Sequence, residues 1–81
     1  MHLRRMTAQL KQEKVHIMPK LLKLKDVIAT TGLSRSYIYA LAQQGAFPKP
    51  IKLSERSSAW IQSELEEWID SRIALRDQEA A

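Results

Sequence analysis

A three-residue turn, Gly32-Leu33-Ser34, separates two short helical segments and constrains the fold of this chain more than any other feature. Residues 25–31 supply about two helical turns, and Gly32 ends them because glycine adopts left-handed backbone angles at little cost. Ser34 then stands where its hydroxyl can cap the helix that follows. The sequence therefore predicts a short helix, a tight turn and a second helix over residues 35–44.

The second helical segment is amphipathic. Ile38, Leu41 and Ala42 recur at spacings of three and four residues, so they are predicted to share the buried face. The opposite face and its flanks carry a different set of residues, which are Ser36, Tyr37, Tyr39, Ala40 and Gln43. For either tyrosine an alternative stays open, in which the ring is buried in the core and only the hydroxyl reaches the surface.

The segment Phe47-Pro48-Lys49-Pro50 interrupts the helical pattern. Proline lacks an amide donor and pushes the residue before it toward extended geometry, so this segment cannot be helical. Residues 51–53 and 59–61 are short strand candidates that flank the polar segment 54–58. The sequence predicts a β-hairpin here, a wing whose tip is residues 54–58.

A final helix is predicted after the hairpin. Ser63 and Glu66 have the spacing of a capping box, which marks the start of a helix. Apolar residues then repeat at intervals of three and four, namely Leu65, Trp68, Ile69 and Ile73. Trp60 and Trp68 both occupy apolar periodic positions, so we assign them to packing rather than to stacking on bases. The predicted fold is mainly α with a small β-hairpin, a winged helix-turn-helix.

The length of 81 residues allows a single domain, which we place at residues 21–77. A flexible basic arm is predicted for residues 1–20 and a frayed tail for residues 78–81. The chain has no cysteine, which excludes disulfides and thiolate metal sites, and no apolar run approaches the roughly 18 residues that span a bilayer. We therefore expect a cytoplasmic protein with no metal site, no cofactor and no membrane contact.

The net charge of +4 is unevenly distributed along the chain. Residues 1–20 and residues 21–60 each carry a net charge of +4, whereas residues 61–81 carry −4. A basic surface favours a polyanionic partner such as DNA, because neutralised phosphates release counterions. A solvated, lysine-rich surface would have the same composition, so charge alone leaves both interpretations open.

Two helices joined by a tight turn are the unit that many proteins use to place their second helix in the major groove. The second helix here presents side chains that can reach phosphates or base edges, and arginine with guanine and glutamine with adenine are the favoured pairings. These residues are Arg35, Ser36, Tyr37, Tyr39 and Gln43. On the wing the candidates are Lys49, Lys52, Ser54, Arg56 and Ser57. Arg35 could instead form a surface ion pair, and the wing lysines could instead protect an edge strand from aggregation.

Three motifs occur in order along the chain, at Gly32-Leu33-Ser34-Arg35-Ser36, Phe47-Pro48-Lys49-Pro50 and Ala59-Trp60. Together they resemble the AlpA family of phage regulatory proteins. The resemblance covers about residues 21–77 and implies a winged helix-turn-helix of the MerR-like or excisionase type, encoded on a prophage or genomic island. It adds Ser34 to the residues expected to face the major groove. The chain departs from the family pattern at Ala40, where a cation is common, and at Ser54-Glu55, where glycine is common.

The sequence thus predicts a non-enzymatic, sequence-specific DNA-binding protein, and the family resemblance implies that it regulates integrase or excision genes or acts as an excisionase. Its expected partners are double-stranded DNA, a tyrosine integrase and neighbouring copies on tandem sites, and it would join the bacterial nucleoid when bound. No nucleophile with an adjacent base, ligand cluster or phosphate-binding glycine loop supports an enzyme. The alternative is a protein-interaction adaptor that uses the acidic last helix and the basic arm.

Overall fold

Three helices and a three-stranded sheet make up the part of the chain that the structure, a computed structural model, describes, residues 18–80. The predicted arm lies almost wholly outside these residues. In chain order the elements are β1 (Leu21–Leu22), α1 (Leu24–Thr31), α2 (Arg35–Gln43), β2 (Ile51–Ser54), β3 (Ser57–Ile61) and α3 (Gln62–Ala80). The predicted fold class, a mainly helical winged helix-turn-helix, is confirmed.

The turn between α1 and α2 forms as the sequence predicts. Gly32 has a φ of 74°, in the left-handed region, and its N–H donates to the Ile28 carbonyl at 2.7 Å. The Thr31 hydroxyl donates to the Val27 carbonyl at 2.8 Å and accepts from the Leu33 N–H at 3.1 Å. These bonds satisfy backbone groups that the end of α1 leaves free, so the turn is closed by local interactions.

The wing is a tighter hairpin than the sequence suggests. Strands β2 and β3 pair antiparallel, with Lys52 opposite Ser58 and Ser54 opposite Ser57, and a bulge lies between Lys52 and Ser54. The turn therefore consists of Glu55 and Arg56 alone, and the predicted five-residue tip was wrong. The reason is that the extra residue of the bulge lets the serines continue the ladder, which a hydrophobicity pattern does not reveal.

The third strand was not predicted. Leu21 and Leu22 pair antiparallel with Ile61 and Trp60, so β3 is the central strand of the order β1-β3-β2. The N–H of Gln62 extends this contact by donating to the Lys20 carbonyl at 2.9 Å. A strand of two residues is too short for any periodicity to identify, and it forms only because β3 offers a free edge.

The core lies where both helices of the helix-turn-helix meet the sheet and α3. Val27, Ile38 and Trp60 have no exposed surface. The whole buried cluster is Val27, Ile38, Ala42, Phe47, Trp60 and Leu65. The predicted buried face of α2 is confirmed, with Leu41 partly buried beside it. The burial of this cluster, together with the partly buried apolar side chains packed against it, supplies the hydrophobic stabilisation of this small domain.

Both tryptophans hold the connector between α2 and β2. The Trp60 indole N–H donates to the Pro48 carbonyl at 3.0 Å, and the Trp68 indole N–H donates to the Ala46 carbonyl at 2.8 Å. Between those two carbonyls, the Phe47 ring meets the Trp68 ring edge to face, with centroids 4.7 Å apart. The assignment of both tryptophans to packing is confirmed, and their indole nitrogens add directional bonds to it.

Helix α3 begins differently from the prediction. It starts at Gln62, directly after β3, so Ser63 lies inside the first turn and the predicted capping box was wrong. The sheet determines the start, because the Gln62 backbone continues the pairing toward Lys20. The Gln62 side chain instead donates to the Glu66 carboxylate at 2.9 Å. The helix runs to Ala80, beyond residue 77, and no helix in residues 18–80 is long and apolar enough to cross a membrane.

We expect Trp60→Phe to destabilise the fold more than Trp68→Phe. The first change removes the donor to the Pro48 carbonyl from a fully buried side chain, which costs about 1–3 kcal/mol for the lost bond alone. Trp68 is only partly buried, so in the Trp68→Phe variant a water molecule can donate to the Ala46 carbonyl in place of the indole N–H. Urea unfolding followed by circular dichroism measures both variants. Equal losses of unfolding free energy would contradict this account of the connector.

Candidate nucleic-acid interface

The start of α2 is set by Ser34. Its backbone is extended, and its hydroxyl oxygen accepts a hydrogen bond from the Tyr37 N–H at 3.2 Å, as expected of an N-cap. Ser34 therefore has a structural role at the position where the family resemblance predicts a DNA contact. Its hydroxyl hydrogen is not used in this bond, so the side chain keeps one donor for a partner.

Arg35, the first residue of α2, is exposed, as are Ser36 and Gln43 on the same helix. The single ion pair among residues 18–80 joins Arg76 to Asp77 on α3. Arg35 therefore has no acidic partner in this part of the chain, which leaves its guanidinium available to a ligand. The surface ion pair considered as an alternative for Arg35 is not formed within these residues.

The two tyrosines of α2 have different environments. Tyr37 is 53% exposed and lies on the outer surface, whereas Tyr39 is 37% exposed. The Tyr39 ring meets the Trp60 ring edge to face, with centroids 5.8 Å apart and planes at 61°. Tyr39 thus rests on the core while one side stays open to solvent. Tyr39 is therefore only partly exposed, and its contact with Trp60 fixes the position of its ring.

Four cationic side chains from three parts of the fold surround one open groove of about 300 Å³, here called the basic groove. Arg35 comes from the start of α2 and Arg56 from the turn of the wing, and no acidic residue contributes to the lining. The lining residues are Lys23, Leu24, Lys25, Arg35, Tyr39, Arg56, Ser57 and Ser58. Four predicted residues, Arg35, Tyr39, Arg56 and Ser57, are therefore brought together here.

Lys23, Lys25 and Ser58 were missed by the sequence reasoning. Lys23 immediately precedes α1 and Lys25 lies in its first turn, far along the chain from the wing. The Lys23 ammonium donates to the Ser57 hydroxyl at 3.4 Å, a long contact across the groove. The basic charge of this segment was visible in the sequence, but its proximity to the wing follows from the pairing of β1 with β3.

A second groove, of about 420 Å³, lies along the other end of α2 and is here called the lateral groove. Its lining is Tyr39, Ala42, Gln43, Lys49 and Pro50. Predicted residues of the helix and of the connector to the wing therefore meet here, as they do in the basic groove. Tyr39 lines both grooves, so the surface between them is continuous.

Lys52 helps to shape the wing. Its ammonium donates to the Glu55 carbonyl at 2.8 Å, which closes the hairpin turn and uses one of its three N–H groups. Lys52 and Ser58 are opposite each other in the ladder and so share one face of the sheet. Five predicted residues line neither groove, namely Ser34, Ser36, Tyr37, Lys52 and Ser54.

Charge is separated between the grooves and the last helix. Residues 18–61 contain seven Lys and Arg but only two acids, Asp26 and Glu55, whereas α3 carries six acids and two arginines. Among residues 18–80, no three potential ligands from His, Cys, Asp and Glu are grouped as a metal site would require. The exposed surface of the helix-turn-helix and wing is therefore strongly basic and rich in hydrogen-bond donors.

Residues 20–73 match the family model described as prophage CP4-57 regulatory protein (AlpA). The chain belongs to the AlpA family. The match extends from the residue before β1 into α3, so it covers both helices of the helix-turn-helix and the entire wing. The family resemblance seen in the sequence is confirmed.

Two relatives of this AlpA-family chain have similar lengths of alignment. An uncharacterized protein, ORF88, of Enterobacteria phage P4 is 40% identical over 57 residues, which cover 70% of this chain and 65% of the phage protein. The DNA-binding transcriptional activator AlpA of Escherichia coli (strain K12) is 34% identical over 62 residues, which cover 69% of this chain and 89% of that protein. The chain thus spans slightly under two thirds of the phage relative.

We expect Ser34→Ala to lower the free energy of unfolding by about 1 kcal/mol, because the Tyr37 N–H loses its acceptor at the helix start. Ser36→Ala is the matched control, since that serine is exposed and lies one residue inside the helix. Thermal and urea unfolding of both variants measure the difference. If Ser36→Ala were as costly as Ser34→Ala, the assignment of Ser34 as the cap would be wrong.

Proposed function

We propose that this AlpA-family protein is a sequence-specific DNA-binding regulator of a prophage or genomic island. The observation that carries the proposal is the convergence of Arg35, Tyr39 and Arg56, from the second helix and the wing, on one basic groove without acidic residues. The E. coli relative bears the name of a DNA-binding transcriptional activator, which supports the same class of function. In cells the protein would act in the cytoplasm, on DNA.

Helix α2 is the proposed recognition helix. Its exposed face would enter the major groove, where Gln43 can pair with adenine and Arg35 can reach a guanine edge or a phosphate at the side of the groove. Ser36 and Tyr37, which are exposed and point away from the core, would donate to phosphates or base edges. Ala40 is also exposed and offers only a methyl group, so base recognition would concentrate at the two ends of the helix.

The wing is the proposed second contact. Arg56 at its turn and Lys52, with two N–H groups still free, would bind the DNA backbone beside the recognition helix. Lys49 would do the same from the lateral groove. Ser54 and Ser57 are smaller donors on the paired strands. The acidic helix α3 would face away from the duplex, since phosphates repel its carboxylates.

The biological role proposed is control of integrase or excision genes, or direct action as an excisionase with a tyrosine integrase as partner. The two roles share one DNA-binding surface and differ in what the bound protein does. Bending of the bound DNA and cooperative loading of copies on adjacent sites would favour the excisionase. Binding at one site in a promoter would favour the regulator. Circular-permutation gel shifts, which measure DNA bending, separate the two roles when they are run on the attachment site and on the integrase promoter.

A second candidate function is a protein-interaction adaptor. It is favoured by the outer half of α3, where residues 70–79 are all exposed and include Ile73 at 42% and Leu75 at 46% exposure. Exposed apolar side chains on an acidic helix are suited to a protein partner. If changes at Ile73 and Leu75 abolished activity in cells while Arg35→Ala and Lys52→Ala did not, the adaptor would be the better description.

We expect Arg35→Ala to weaken specific DNA binding by about 1–3 kcal/mol, because a guanidinium contact at the start of the recognition helix is lost. Arg76→Ala is the matched control, since that residue lies on α3 and is paired with Asp77. The measurement is a gel-shift titration on the attachment site and on the integrase promoter, with competitor DNA, at two salt concentrations. Equal affinities for both variants would contradict the proposed recognition helix.

We also expect removal of residues 1–19 to weaken DNA binding and reduce its salt dependence. This segment carries four Lys and Arg and one acid, and we propose that it reaches along the DNA backbone. The slope of log affinity against log salt concentration, compared between the full and shortened chains, measures the contribution. Unchanged affinity and slope would remove the arm from the proposal.

A further inference from the structure

We propose that the basic groove is a binding site for a DNA backbone phosphate, and that Lys23 and Lys25 make the start of α1 a third DNA contact beside α2 and the wing. This inference rests on the proposed DNA-binding function. It adds a segment that lies outside the helix and the wing expected to hold the duplex. We expect this contact to set the position of the protein on the duplex and not its base preference, because the phosphates are the same in every DNA sequence.

The lining of the groove matches the chemistry of a phosphate. Phosphate oxygens only accept hydrogen bonds, and every polar side chain in the lining carries at least one donor. Four of these donors are cationic, and the remaining three are the hydroxyls of Tyr39, Ser57 and Ser58. The nearest acids along the chain, Asp26 and Glu55, do not line the groove. No carboxylate in the lining would therefore repel an entering phosphate.

The groove also gathers positive charge that the protein does not neutralise. The only ion pair within residues 18–80 is on α3, so none of the four groove cations has an acidic partner there. Bringing like charges together costs electrostatic free energy, and an anion bound among them offsets that cost. The positive end of the α2 dipole lies at Arg35 and adds to the same field.

Lys23 is held in place by backbone and side-chain contacts together. Its carbonyl accepts the N–H groups of Asp26 at 2.9 Å and Val27 at 3.1 Å, so its backbone is fixed at the start of α1. Its ammonium reaches the Ser57 hydroxyl on the wing at 3.4 Å. A phosphate that accepts hydrogen bonds from both groups would therefore connect α1 to the wing. One phosphate bound here would fix the orientation of the wing relative to the recognition helix.

The test is a double-mutant cycle between protein and DNA. Lys23→Gln with Lys25→Gln removes two groove charges, and the control, Arg72→Gln with Arg76→Gln, removes two charges on α3, outside the groove. All four side chains are exposed, so both variants are expected to fold, and thermal unfolding checks this. Each protein is titrated against specific and unrelated DNA over a range of salt, and against specific DNA with single phosphates replaced by neutral methylphosphonates.

We expect the groove variant to lose affinity for specific and unrelated DNA alike, and its salt slope to fall by about one counterion relative to the control variant. One methylphosphonate position should weaken the parent protein but not the groove variant. If the parent binds specifically and the groove and control variants behave alike, the phosphate site is wrong while the proposed function stands. If the parent binds no DNA specifically, both proposals fail.

Discussion

Two indole hydrogen bonds hold together the parts of this protein that form its candidate interface. The connector from α2 to β2 contains Pro48 and Pro50, so it cannot satisfy its own backbone groups as a helix does. Trp60 from the sheet and Trp68 from α3 donate to carbonyls on either side of Phe47. Because both donors come from the folded body, the connector is anchored at two points, and the wing keeps a defined position relative to α2.

Trp60 links this anchoring to the interface itself. The Trp60 ring is fully buried and hydrogen-bonded to the connector, and it also packs edge to face against the Tyr39 ring. Tyr39 is the residue common to the basic groove and the lateral groove. A change in the core at Trp60 would therefore alter both grooves, although no core atom needs to touch a ligand. In so small a domain, stability and the shape of the binding surface depend on the same side chains.

The uneven distribution of charge determines which surface of the molecule would face a polyanion. The seven Lys and Arg of residues 18–61 lie on the helix-turn-helix, the wing and the segments beside them, whereas α3 is acidic. A duplex near this protein would attract the first surface and repel the second, with a range set by the Debye length of about 8–10 Å. In the proposed function the basic segments therefore contact DNA, whereas α3 packs on the core and leaves its outer face to other partners.

Local features were determined by the sequence alone. Gly32 and Ser34 set the turn through backbone freedom and a cap, and Ile38 and Ala42 mark the buried face, because these effects act within a few residues. The tertiary structure decided what depends on distant partners. Strand β1, the start of α3 at Gln62 and the two-residue wing turn all follow from pairing in the sheet. The same pairing places Lys23 and Lys25 beside Arg56, a proximity that no local pattern encodes because it joins segments more than thirty residues apart.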